Sequence, residues 1–158
     1  MMLHPHRVSA VLIGAPGYVT LLDDSLNGWP DTADFETVFA QPLDTAALAR
    51  VAVRIIVGNQ NLDKAFMSVP PDSPIWAERS DAAGHNRVER AQALAENLRR
   101  NGLTVELVLA DECRHAFTAA IQSDVVDFLV RSAAPPRIRQ SRVCALASVR
   151  SPMPGLPR

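Results

Sequence analysis

The chain has 158 residues, 47% of them hydrophobic and 21% charged, which is enough for one core, too short for two ordinary domains of roughly 100 to 200 residues, and the usage of a globular protein. Its net charge of -1 gives the whole molecule no electrostatic case for nucleic acid or an anionic membrane, and no apolar run approaches the roughly 18 to 20 residues of a membrane helix. With no basic and then apolar leader, and two cysteines, Cys113 and Cys144, that make no disulfide framework, the sequence reads as cytoplasmic.

The charge is uneven. Residues 1–131 hold 11 basic against 17 acidic residues, whereas residues 132–158 hold five Arg and no acid, together with five of the 12 prolines. Such a stretch buries too little apolar area to offset its ordering entropy. The expected organisation is a domain over 1–131 and a disordered Arg/Pro-rich tail over 132–158.

In chain order, Val8 to Ile13 is the first of three short apolar runs and, being nearly continuous and β-branched, predicts a strand covered on both faces. About thirty residues follow before the next element, too many for a turn, and they carry Tyr18, Trp29, Phe35 and Phe39, so they resemble a lid or cap insertion. Gly14-Ala15-Pro16-Gly17 at their start has too few glycines for phosphate binding and reads as a turn. A short helix is expected to begin at Asp44 and run through Ala46, Ala47 and Leu48 before Arg50, and Val51 to Val57 is the second strand. A Pro-rich stretch, Ser68 to Pro74 and then Trp76, leads to a helix capped by Asn86 and Glu89, striped by Val88, Ala91, Leu94, Ala95 and Leu98, and ended by Gly102. Leu103 to Leu109 alternates, as an edge strand does. A last helix carries the stripe Ile121, Val125, Phe128 and Leu129. Strands alternating with helices predict a three-layer α/β fold with a short parallel sheet.

In parallel sheets the loops at the carboxyl ends of strands hold ligands and reacting groups. After the second strand comes Gly58-Asn59-Gln60-Asn61-Leu62-Asp63, and after the third comes Ala110 to Phe117 with His115. A carboxylate on one such loop and an imidazole on the next is the arrangement in which the acid orients the His and the His acts as general base for a nucleophile. The candidate catalytic residues are therefore His115 and Asp63. Asp63 also reads as a solvated loop acid, and His115 as an ordinary helix-entry histidine. Cys113-x-His115 with Asp111 and His85 lacks a paired zinc-ligand spacing, so neither metal nor cofactor is expected, and Cys113 reads as a small buried residue.

These features together resemble the C-terminal half of an α/β-hydrolase: Leu3-His4-Pro5-His6-Arg7-Val8 leading into the first strand, Val57-Gly58 with an acid shortly after, the helix from Asn86, and the last strand followed by His115, over roughly residues 1–131. That family orders its triad Ser, then Asp or Glu, then His, and the resemblance gives Asp63 and His115 the second and third places. The family's acid often stands three residues past the strand-end glycine, where this chain has Asn61. Its nucleophile motif G-x-S-x-G occurs nowhere in the chain.

The resemblance implies the carboxyl portion of an esterase-like serine hydrolase, inactive alone, acting on a small ester-type substrate once a missing half is supplied. A truncated frame, a split gene and a frameshifted tail all fit that reading. The alternative is a non-catalytic interaction module whose first strand, having lost a neighbour, pairs with another protein or with a second copy.

Overall fold

Val51, Val53, Ile55 and Val57 alternate with Arg54 and Ile56 in a run of high β-propensity, so an extended backbone sends one set to each side of a sheet. The computed structural model, which describes residues 1–25, 30–64, 67–74 and 76–133, makes this run the central strand β2, Ala52–Gly58. It pairs in parallel with β1, Ala10–Gly14, on one side and with β3, Val105–Ala110, on the other. The described helices are α1, Phe35–Phe39; α2, Thr45–Leu48; α3, Arg87–Arg100; and α4, Ala119–Ala133.

The alternation along β2 sorts the helices into layers. Val51, Val53, Ile55 and Val57 meet Ala91, Leu94, Ala95 and Leu98 of α3 in the larger core. On the opposite face Ile56 packs with Cys113 and with Ile121 of α4. Helices on both faces of a parallel sheet make the three-layer α/β arrangement that the alternation predicts.

Local chemistry fixes the longest connection. Glu89 N–H donates to Asn86 Oδ1 at 2.9 Å and Glu89 Oε2 accepts from His85 N–H at 2.7 Å, closing a reciprocal cap at the start of α3. At its other end Gly102, with φ +85°, lets the chain turn so that Gly102 N–H reaches Arg99 O and Leu103 N–H reaches Leu98 O. The chain then enters β3 without a long loop. Asp44 Oδ1 caps α2 by accepting from Ala47 N–H at 2.8 Å.

Three expectations are corrected. β1 is covered less fully than its apolar run implies: Val11 and Ile13 lean on the α3-side core and Leu12 on the α4-side cluster, but all three stay half-buried, while its place at the edge of the described sheet is the one the lost-neighbour alternative expects. Leu129 is 42% exposed while Ile121 and Phe128 are buried, so the α4 stripe is narrower than the apolar spacing implied. The connection after β1 is partly wall, not lid, since Val19 and Leu22 join the α3-side core and the Asn97 side chain takes Leu22 N–H at 2.8 Å and gives to Leu22 O at 3.3 Å. Trp29, Cys144 and the expected tail from residue 134 lie outside the described residues.

Candidate functional site

Gly58 stands opposite Ala110 in the β2–β3 register, so the two strands end level and their loops start side by side. Backbone bonds then zip the loops together: Asn59 N–H donates to Ala110 O and Gln60 N–H to Cys113 O, both at 2.9 Å. Asn59 Nδ2 adds a bond to Asp111 Oδ1 at 3.1 Å. Gly58 is required at the crossing, because a Cβ there would sit 2.2 Å from Cys113 O. The thiol of Cys113 is buried beneath this crossing, facing Arg114 O and Ala116 O, as a small packed residue would be.

This crossing delivers His115 to the loop after β2. His115 Nδ1 lies 3.1 Å from Asn61 Nδ2, and Asn61 is buried at 4% exposure. The contact runs either way with the imidazole tautomer: the Asn61 amide N–H gives to a bare Nδ1, or its carbonyl oxygen, with the amide turned over, accepts from Nδ1–H. Asp63 is exposed two residues further along the same loop. The two loops that the sequence places at one edge of the sheet do meet there. The side chain at the ring is the one that stands three residues past Gly58, a spacing readable in the sequence.

A cavity of about 240 Å³ opens beside the ring, with apolar walls from Leu12, Ile56, Phe117 and Ile121 and with His115 and Arg114 at its rim. A larger groove of about 600 Å³ runs along β1, lined by Met1, Val11, Ile13, Phe35 and Phe39 together with Asp31. The smaller cavity is the one that meets His115.

The wall of the cavity at Gly14 and Ala15 is held from α3. Arg87 Nη1 donates to Ala15 O at 2.7 Å. Arg90, 1% exposed, gives Nε to Gly84 O at 2.8 Å, Nη1 to Gly17 O at 2.7 Å and Nη2 to Met67 O and to Asp81 Oδ1, the latter at 3.1 Å, with the Tyr18 ring 5.4 Å away. A planar fork with five donors suits this task. Sequence reasoning missed both arginines, because a polar residue beside an apolar helical stripe looks like a solvated flank.

Perturbed carboxyls lie elsewhere. Burial pushes Asp31 up, against the pull of Arg79 at 3.0 Å. Bonds from Ser25 hold Asp23 low, and the His85 N–H holds Glu89 low.

Fold and geometry together define a three-layer α/β chain whose candidate site lies at the carboxyl edge of a parallel sheet, where two loops bring an imidazole to an apolar cavity. Its fold is similar to that of poly(aspartic acid) hydrolase-1 from Sphingomonas sp. KT-1, with a TM-score of 0.57 and 17% identity over 82% of this chain and 48% of that one. The chain spans about half the length of that hydrolase, and the likeness is one of fold. No protein-family profile and no curated protein matches it.

Proposed function

We propose that the chain is the carboxyl portion of a hydrolase of the serine type, supplying the general base His115 and its orienting loop to a nucleophile held on other residues. The observation that carries this reading is the meeting of His115 with the 58–63 loop beside an apolar cavity. Attack on an ester or amide carbonyl needs a proton removed from the nucleophile, and an imidazole takes it through Nε2 only while Nδ1 carries the other proton. A carboxylate is the group that holds a proton there, and in this reading Asp63 takes that role by replacing Asn61, the side chain now at Nδ1. The substrate is a small ester, or an amide in keeping with the neighbour's name.

The experiment is hydrolysis of p-nitrophenyl esters and of poly(aspartic acid) by the purified chain and by the chain complemented with an N-terminal half carrying G-x-S-x-G. The chain alone is expected to stay at background. The complemented form is expected to turn over and to lose about four to six powers of ten in kcat with His115→Ala. Asp63→Ala should cost about as much as other triad acids, roughly four powers of ten; if Asn61→Ala is the damaging change and Asp63→Ala is silent, Asp63 is not the acid. Robust hydrolysis by the chain alone would sink the missing-nucleophile reading.

A second reading, a non-catalytic module, is favoured by the outer edge of β1. Ala52 N–H bonds Ser9 O and Ala15 N–H bonds Ile56 O, so by alternation the N–H and C=O groups of Ala10, Leu12 and Gly14 face away from β2. No described strand pairs with them. An edge of this kind takes up another chain or a second copy. Analytical ultracentrifugation tests it: a monomer at every concentration that also binds no N-terminal half would count against it.

A further inference from the structure

We infer that the cavity beside His115 is a binding site for a small organic carboxylate with an apolar body. The inference rests on the placement of His115 at that cavity, deepens the proposed function by naming the charge of the ligand, and is tested without any hydrolysis.

The rim of the cavity offers donors. Asn61 occupies Nδ1 of His115, which leaves Nε2 as the ring nitrogen open to a ligand, and Nε2 gives a hydrogen bond to a carboxylate whenever it carries a proton. Arg114, its neighbour in the chain and also lining the cavity, has a guanidinium with no hydrogen-bond or ion-pair partner among the described residues, and that group is always charged.

Among the described residues no carboxylate lines this cavity. The acids nearest in the chain, Asp111 and Glu112, line an adjoining cavity with Asp124, which shares Ile56, Arg114, Ala116 and Ile121 with the first. Asp111 is engaged by Asn59, and Asp124 by Arg54. Arg114 borders both cavities, and among the described residues it is the cation placed to serve an anion in the smaller. A carboxylate accepts from several donors at once, and such charge-assisted bonds are stronger than neutral ones. The body of the ligand is set by the walls: Leu12, Ile56, Phe117 and Ile121 around about 240 Å³, where a void of roughly 150 Å³ already takes a benzene ring. A cation would meet only donors there, and a purely apolar ligand would leave them unused.

The test uses benzoate as probe and benzamide, its neutral match in shape, on the full 158-residue chain, followed by amide and histidine nitrogen resonances above the ordinary imidazole titration range. Benzoate is expected to saturate with shifts centred on Gly58 and residues 114–117, to bind about tenfold or more tightly than benzamide, and to fall to the level of benzamide in Arg114→Gln. Arg114 is exposed, so that variant should fold. Equal binding of the two probes, shifts centred elsewhere, or no saturation by benzoate would each overturn the inference. Anion binding without hydrolysis in the complemented form would retire the proposed reaction and leave this site standing; hydrolysis without anion binding would do the reverse.

Discussion

The two faces of the sheet are built differently. Under α3 the core is continuous and apolar, with Leu48, Ile55, Ala91, Ala95 and Leu98 fully buried, and Arg90 beside it uses its donors to pin the loops from Gly17 to Gly84. Under α4 the buried apolar cluster is small, Ile56, Cys113 and Ile121. Much of the remaining contact is ionic: Arg54, from the centre of β2, reaches Glu106 at 2.7 Å and Asp124 on α4, with its guanidinium 5.5 Å from the Phe128 ring. Arg54 is buried but both acids are partly exposed, and solvent screening makes such an ionic contact a weak source of stability. The difference teaches a division of labour: one face holds the sheet together, and the thinner face leaves room for a cavity beside His115.

Mutations rank the faces. Leu98→Ala, in the α3 core, should cost about 3 to 5 kcal/mol in urea unfolding, since a fully buried leucine leaves a cavity as well as its transfer energy. Arg90→Met should cost about 3 kcal/mol, because the Gly17, Gly84 and Met67 carbonyls lose their donor, and amide exchange should quicken in the loops on both sides. Ile121→Ala, on the α4 face, should cost about 2 kcal/mol; a loss equal to that of Leu98→Ala would end the comparison.

Gly58→Ala sharpens the comparison at the site itself. The new Cβ has to push Cys113 O away, at about 1 to 3 kcal/mol, and the crossing that delivers His115 should open. The expected readout is loss of the His115–Asn61 contact in nuclear Overhauser spectra while residues of α3 keep their shifts. Unchanged His115 contacts would show that the loop is held by something other than the crossing.

The smallest effect is a pH dependence confined to the start of α3. Glu89 titrates below its ordinary value because the charged form accepts from His85 N–H and from Asn86. A carboxyl lowered by folding stabilises the fold above its unfolded value, about 4.3, and that help is lost as the pH falls through the folded value. Exchange protection at His85 and Glu89 should therefore decline in acid, and Glu89→Gln should remove the dependence without unfolding the α3 core. Asp31, raised by burial, acts with the opposite sign, favouring the fold as the pH falls through its folded value.

Much of this architecture is written in local patterns. The Asn86 and Glu89 pair, the αL turn at Gly102 and the valine-rich run at 51–57 each act through atoms a few residues apart, so residue type and spacing determine them. The alternation of strands and helices then sets the parallel sheet, and with it the edge where His115 and the 58–63 loop had to lie. Arg54 was visible as a charge inside an apolar strand, a local conflict that marks a need for partners, but Glu106 and Asp124 stand 52 and 70 residues away.

What the sequence alone determined was which groups would be near one another: the order of elements, the larger core face, and the loops that share an edge. Tertiary structure decided the rest, because neighbours across a sheet depend on register and on how many strands flank each strand. Register put Gly58 level with Ala110, so that Asn61 and not a more distant polar group of its loop meets Nδ1 of His115. Among the described residues β1 pairs with β2 alone, which its apolar composition, a record of covered faces, does not report. Spacing fixes the face on which a side chain emerges, whereas the partner it finds there is set by packing between segments the chain brings together from far apart.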